Sequence, residues 1–421
     1  MAALEDWDWE VGTRELADLS GMRDEYRSVH EFAVSPDGER IAAPVCLDEE
    51  SATAWVNGAA WEASFEKLWY LRFGQNGQLT CLVRIDDEWT LAVEGTPWEE
   101  RFEYAWNPRF SENGAAIGML VKRDNEYGVA LNDKVWEQNF VAIRDFCISP
   151  DGQRVAATVQ VEKLKEADTF AFFDGVWSVA VDGVPWAKRF VNTWAPCFSA
   201  DGKSVAAEVR TDICAYSIAV DEKTWPESFG CVWEPLFRPG GNKVVEPTRR
   251  QGKWSLFEDG KPLWKSPYNQ LWRQVFSPDG RRLAAVVSGE YGKWTIAVDD
   301  SPWNVTFGDM VMNPIFSPDG KRVAALAKEA DRWTVVVDGV PWGSSFDMVW
   351  DPVFSRDGAH VLAKARDNGV HTVLLDGRAA NRGFDLLWDP IFSPDGARIL
   401  LRYVDKGKYV REVVSAGKLL G

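Results

Sequence analysis

The sequence predicts an all-β fold: a β-propeller of about ten four-stranded antiparallel blades. Three observations predict it. First, a short turn recurs ten times, with glycines at Gly38, Gly77, Gly114, Gly152, Gly202, Gly241, Gly280, Gly320, Gly358 and Gly396. The intervals are 39, 37, 38, 50, 39, 39, 40, 38 and 38 residues, and a period near 39 is the length of one four-stranded blade. Second, short apolar runs between these turns are punctuated by Asp-Gly and Asn-Gly pairs, which favour tight hairpin turns. Third, most of the 23 tryptophans fall into columns of the repeat.

One blade can be read element by element. Val349 to Ser355 is a first strand, turned by Arg356-Asp-Gly358. His360 to Ala365 is a second and Val370 to Leu375 a third, with Asp367-Asn-Gly369 between them. Asp376-Gly377 turns into a short fourth strand running towards Phe384. Successive hairpins of this kind make an antiparallel meander. One blade cannot bury both faces, so it must stack on neighbours. After Gly396 there is room for only two more strands, Arg398 to Val404 and Lys408 to Val414. The segment from Trp7 to Arg27 is expected to supply the missing outer strand, closing one ring from both ends. Spacing between repeats shows no crossover, which favours a single domain over 1–421. The alternative is two five-bladed propellers, about 1–190 and 191–421.

The tryptophan columns follow the strands. Trp61, Trp98, Trp136, Trp186, Trp225, Trp264, Trp303 and Trp342 lie on or beside the fourth. Trp69, Trp106, Trp194, Trp233, Trp272, Trp350 and Trp388 open the first, and Trp55, Trp89, Trp177, Trp254, Trp294 and Trp333 begin the third. Each indole buries ~150–250 Å², so wedging between blades explains the columns. A first-strand Trp left exposed would be a partner hot spot; Trp194, Trp233, Trp350 and Trp388 are the candidates. The interval of 50 residues holds an irregular loop insertion, 162–173, between a second and a third strand. Its Phe170, Phe172 and Phe173 are candidate docking residues, because function concentrates on loops that depart from a scaffold.

Composition narrows the partners. A net charge of −17 repels phosphate backbones and anionic lipid, against nucleic-acid binding and direct membrane insertion. The first ten residues carry neither the basic nor the apolar region of a signal peptide, and a cytoplasmic location is expected. Six cysteines show no Cys-x-x-Cys spacing and read as reduced structural thiols. Phosphate-loop, Gly-x-Ser-x-Gly and His-Glu-x-x-His motifs are absent, and His360 and His371 have nothing to complete a metal shell. The Pro-Asp-Gly carboxylates are explained by turn geometry. The expectation is therefore no catalytic, cofactor-binding or metal-binding residues.

The Phe-Ser-Pro-Asp-Gly-x-Arg-x-Ala-Ala unit, at Phe276 to Ala285 and Phe316 to Ala325, resembles the WD-repeat-like propellers of the TolB type. With the Asp-Gly-x-Pro-Trp turn and the Trp columns, the whole chain looks like the tryptophan-rich TmcD subunits of the Tmc transmembrane electron-transfer complex of sulfate-reducing bacteria. That resemblance implies a non-catalytic docking subunit, without a cofactor of its own, on the inner face of the cytoplasmic membrane. Its partners would be iron–sulfur, cytochrome b and multihaem cytochrome subunits, linking periplasmic cytochrome to cytoplasmic reduction. The competing expectation is a stand-alone propeller that binds a small molecule or peptide at its central channel.

Overall fold

The computed structural model describes residues 4–165 and 168–420. Its ten antiparallel sheets are the ten blades of a β-propeller. In chain order, blades 1 to 9 span 28–60, 67–97, 104–135, 142–185, 192–224, 231–262, 270–302, 310–341 and 348–379. Blade 10 combines 386–415 with Gly12–Asp18. Blade 8 shows the common plan: Met310–Phe316, Val323–Glu329, Arg332–Val337 and Val340–Pro341 pair in sequence order. Its two-residue fourth strand is extended by a bridge between Trp333 and Phe346. The hairpin turns take positive φ at both central residues, as at Asp338 (51°) and Gly339 (78°), the twist that antiparallel strands need.

The expected closure of the last blade is present. Gly12–Asp18 pairs antiparallel with Lys408–Ser415, with Gly12 opposite Val413 and Asp18 opposite Lys408. This covers an edge that would otherwise offer free backbone donors and acceptors.

The blade cores form two compact units: residues 82–272 in one, and residues up to 81 together with those from 273 onward in the other. In the first, Val205, Ala207 and Val209 pack against Ala156 and Val179. The opposite face of that blade, with Ala206 and Ile218, packs against Val244 and Phe257. In the second, Ala324 and Val335 meet Val361 and Ala363, and Tyr409 packs with Ile41, Ala43 and Val45.

Two details correct the sequence reading. The insertion between the second and third strands of blade 4 is not wholly loop, because Thr169–Asp174 is helical. Asp168 caps it, its carboxylate accepting from the Ala171 N–H at 3.0 Å. Two insertion residues, Glu166 and Ala167, lie outside the described residues. Trp55 does not share the column of the other third-strand tryptophans. Those bridge a Phe or Tyr of the outer segment, and in blade 1 the bridging residue is Ala52, opposite Phe65. Trp55 pairs with Ala60 three residues later, because this strand starts after the longer exposed turn 47–51.

Candidate functional site

The recurring Ser-x-Asp-Gly turn is a closed hydrogen-bonding unit. Ser277 Oγ donates to Asp279 Oδ1 at 2.6 Å, and that carboxylate accepts the Arg281 N–H at 3.1 Å. The same pattern holds at Asp151, Asp201, Asp319 and Asp357. Hydrogen bonds from Ser317 and Lys321 hold the Asp319 carboxyl down at about 2. These carboxylates are satisfied by their own turns, so the turns are scaffold.

The exposed chemistry is aromatic. On the insertion helix, Phe170 is 86% exposed and Phe173 40%. Phe172 is half-buried, its ring edge-on to Phe173 at 5.3 Å. Each candidate first-strand Trp sits beside a third-strand ring. Trp233 stacks on Trp254 at 5.6 Å and is still 45% exposed. Trp194 stacks on Tyr216 at 6.4 Å, with the Arg144 guanidinium 5.5 Å from its ring. Trp350 lies beside His371, with Lys364 Nζ 4.3 Å from its centroid. Trp388 is edge-on to Tyr409. Trp194, Trp350 and Trp388 are half-buried, with their faces already engaged. Trp233, Phe170 and Phe173 therefore offer more free surface. Trp69, in the first-strand column, and Tyr70 beside it are 45% and 58% exposed, and Tyr70 is missed by a Trp count alone. Tyr70 sits at positive φ (53°) within the first strand of blade 2, an uncommon conformation for a large side chain.

A cleft of about 580 Å³ opens in blade 3, lined in part by Glu100, Arg123, Asp133, Lys134, Trp136 and Asn139. It marks a break in the repeat. In eight blades a third-strand Ser or Thr hydroxyl donates to the outer segment's carbonyls, as Thr90 does to Glu100 O and Ser178 to Lys188 O. Blade 3 has Gly128 there, and Asn139 fills the place where its Cβ would lie.

A second break is buried. Glu246 lies in the second strand of blade 6, fully enclosed, and both its carboxyl oxygens lack a hydrogen-bond partner. Burial, with the Glu208 charge nearby, pushes its carboxyl well above the usual range. Burial and then Glu234 push Glu208 up to about 7. Cys197 is pushed to about 12, chiefly by burial, so it is an inert thiol. Among the described residues, no three His, Cys, Asp or Glu side chains come together as a metal site. No described helix is long and apolar enough to cross a membrane.

No protein-family model and no curated protein matches the chain. Among solved structures it is similar to a crystal structure of the eukaryotic initiation factor, at 12% identity and a TM-score of 0.48. That match covers 78% of this chain and 90% of the other. The Dos1 propeller is 11% identical, with 96% and 94% covered and a TM-score of 0.38. The β-propeller domain of Cps50 (Swd1) from Myceliophteria thermophila is 11% identical, with 66% and 99% covered and a TM-score of 0.29. Likeness this distant carries no functional argument. The fold rests on the ten sheets themselves.

Proposed function

We propose that this chain is a non-catalytic docking scaffold whose partners are proteins. The observation that carries the reading is the insertion helix. It interrupts an otherwise regular repeat and presents Phe170 and Phe173 to solvent. Exposed aromatics on a rigid framework are the side chains that dominate interface energies. Trp69, Tyr70 and Trp233 extend the supply of such anchors.

The more specific role comes from the resemblance to tryptophan-rich TmcD subunits. On that reading the chain works on the cytoplasmic side of a membrane electron-transfer complex and carries no cofactor. Iron–sulfur, cytochrome b and multihaem cytochrome subunits are its partners, and they hold this acidic chain at the membrane.

The test is co-purification of the full chain with those subunits, followed by binding measurements on the F170S/F173S double variant. The expected result is a complex with the wild type and an affinity loss of roughly tenfold or more for the variant, the scale of a hot-spot aromatic pair. A chain that stays monomeric in the presence of all three subunit types would overturn the reading.

A further inference from the structure

We propose that the gap between blades 5 and 6 binds one hard divalent cation, held by the carboxylates of Glu208 and Glu246 with the Thr248 hydroxyl and the Asn192 side-chain carbonyl. Its starting point is a break in the repeat. Glu246 occupies the third position of the second strand in its blade, after Val244 and Val245. The corresponding residues elsewhere are Ala43, Cys81, Met119, Ala157, Ala207, Ala285, Ala325, Ala363 and Leu401. Nine blades place an apolar side chain there, and one places a carboxylate.

The facing of the strands brings the four groups into one gap. Glu246 pairs with Phe257, and Thr248 with Val232. Phe257 and Val232 belong to the core shared with Ala206 and Ile218 of blade 5, so this face of blade 6 looks at blade 5. Glu208 follows Ala206 by two residues and shares its face. Asn192, opposite Arg210, lies on that same face.

Four oxygens on these facing strands are thus left without a partner. Both Glu246 oxygens, Thr248 Oγ1 and Asn192 Oδ1 are enclosed and without hydrogen-bond partners. Glu246 and Thr248 are fully buried. Among the described residues, the charges that bear on the two carboxylates are themselves acidic, Glu208 on Glu246 and Glu234 on Glu208. Arg210, next along this face, turns its guanidinium away to the Asp212 and Ile213 carbonyls. A buried polar group without a partner is costly, and an isolated buried charge far more so. Protonation of Glu246 alone would leave the neighbouring Glu208 carboxylate to be neutralised separately. A divalent cation balances both carboxylates and accepts all four oxygens as ligands. Carboxylate, amide carbonyl and hydroxyl oxygens are the donors that hard cations take.

Cation and protons compete for these carboxylates, and the test uses that competition. The full chain is dialysed against EDTA, and thermal unfolding is followed at about pH 8 and about pH 5 with ~1 mM CaCl2 or MgCl2. At the higher pH the expected result is a rise of roughly 2–4 °C with at least one of the two ions, and a smaller rise at the lower pH. E246Q and E246L remove the rise. T248V, which keeps both carboxylates and the strand, reduces it. Elemental analysis of the reloaded wild type after gel filtration finds about one ion per chain. The inference is overturned if neither ion moves the transition, if E246L responds as the wild type does, or if the reloaded wild type retains no ion. The elemental readout stands even if the Glu246 variants do not fold.

Discussion

Gly339 lies under the indole of Trp303. A Cβ built at Gly339 would come within 3.1 Å of the Trp303 ring, and the residue holds φ at 78°. Gly377 meets Trp342 in the same way, at 3.1 Å, and Gly183 meets Trp136 at 3.2 Å. Gly339→Ala therefore meets a steric and a backbone penalty together. The expected loss is about 1–3 kcal/mol, measured by urea unfolding. Gly343→Ala, with open space around it and no positive φ, is expected to change stability by less than ~0.5 kcal/mol. Equal effects would remove the packing explanation. The sequence displayed both the Asp-Gly turn and the Pro-Trp that follows it, but not that one blade's turn lies under the tryptophan of the blade before. That contact joins residues 36 positions apart, and only the stacking of sheets reveals it. Glu246 was legible in principle as the sole carboxylate in an apolar column. The turns and tryptophans carry the strong periodic signal, and the short apolar second strands between them do not advertise one exception. Glu208 makes a second residue-scale prediction, for protein freed of divalent ions. Its folded pKa, about 7, lies above the unfolded value of ~4.3, so the native state holds an extra proton between those limits. The contribution of Glu208 to stability is then fully present below about pH 4 and is lost as pH rises through about 7. Glu208→Gln should flatten that decline, and an unchanged pH–stability curve would assign it to Glu246 or to groups elsewhere.

At the scale of elements, an arginine ties several blades to the next. Arg322 Nε donates to Asp338 Oδ2 at 3.0 Å within its own blade. Its Nη1 donates to the Gly358 and Ala359 carbonyls of the following blade at 3.1 and 2.9 Å, and the guanidinium lies over Phe354. Arg282 and Arg154 repeat this arrangement. The planar fork allows one side chain to serve two blades, which an ammonium cannot do. Arg322→Ala is expected to lose about 1–3 kcal/mol, the worth of a charged hydrogen bond to backbone, and Arg322→Lys should recover less than half of it. Full recovery by Lys would reduce the effect to charge. The insertion is the contrasting element. Its helix is only six residues long, too short to be stable without neighbours, and its Phe170 is 86% exposed. Deleting residues 163–173 should leave the unfolding midpoint within ~1 °C of the wild type while weakening subunit binding as the double Phe variant does. A cooperative loss of structure would make the insertion part of the core.

At the scale of the whole molecule, the two ends of the chain share one sheet. The strand Gly12–Asp18 is held to Lys408–Ser415 by its register, by Lys408 Nζ on Glu15 at 2.7 Å, and by Arg398 donating to the Trp9 carbonyl at 3.0 Å. Arg411, almost fully buried, reaches both Asp37 O and Asp8 O. Through it the last blade grips the first turn of the repeat as well as the N-terminal segment. The outer strand of this blade is Gly12–Asp18, from the other end of the sequence. The arginine that locks it could not be read, because Arg411 has no counterpart in the repeat. Removing residues 1–20 would strip the outer strand and leave Lys408–Ser415 as a free edge. Local loss of that blade is an insufficient description, since solenoid-like arrays transmit stability through nearest-neighbour interfaces. Tyr409 packs with Ile41, Ala43 and Val45, and its hydroxyl donates to Gly38 O at 2.8 Å. Disordering the third strand of blade 10 would therefore also loosen blade 1. The truncated chain should unfold at a markedly lower denaturant concentration, with early proteolytic cleavage in residues 386–420 and 28–60 and a tendency to associate through the bared edge. Cleavage confined to 386–420, with blade 1 still protected, would show that the terminal strand closes one sheet and stabilises nothing beyond it.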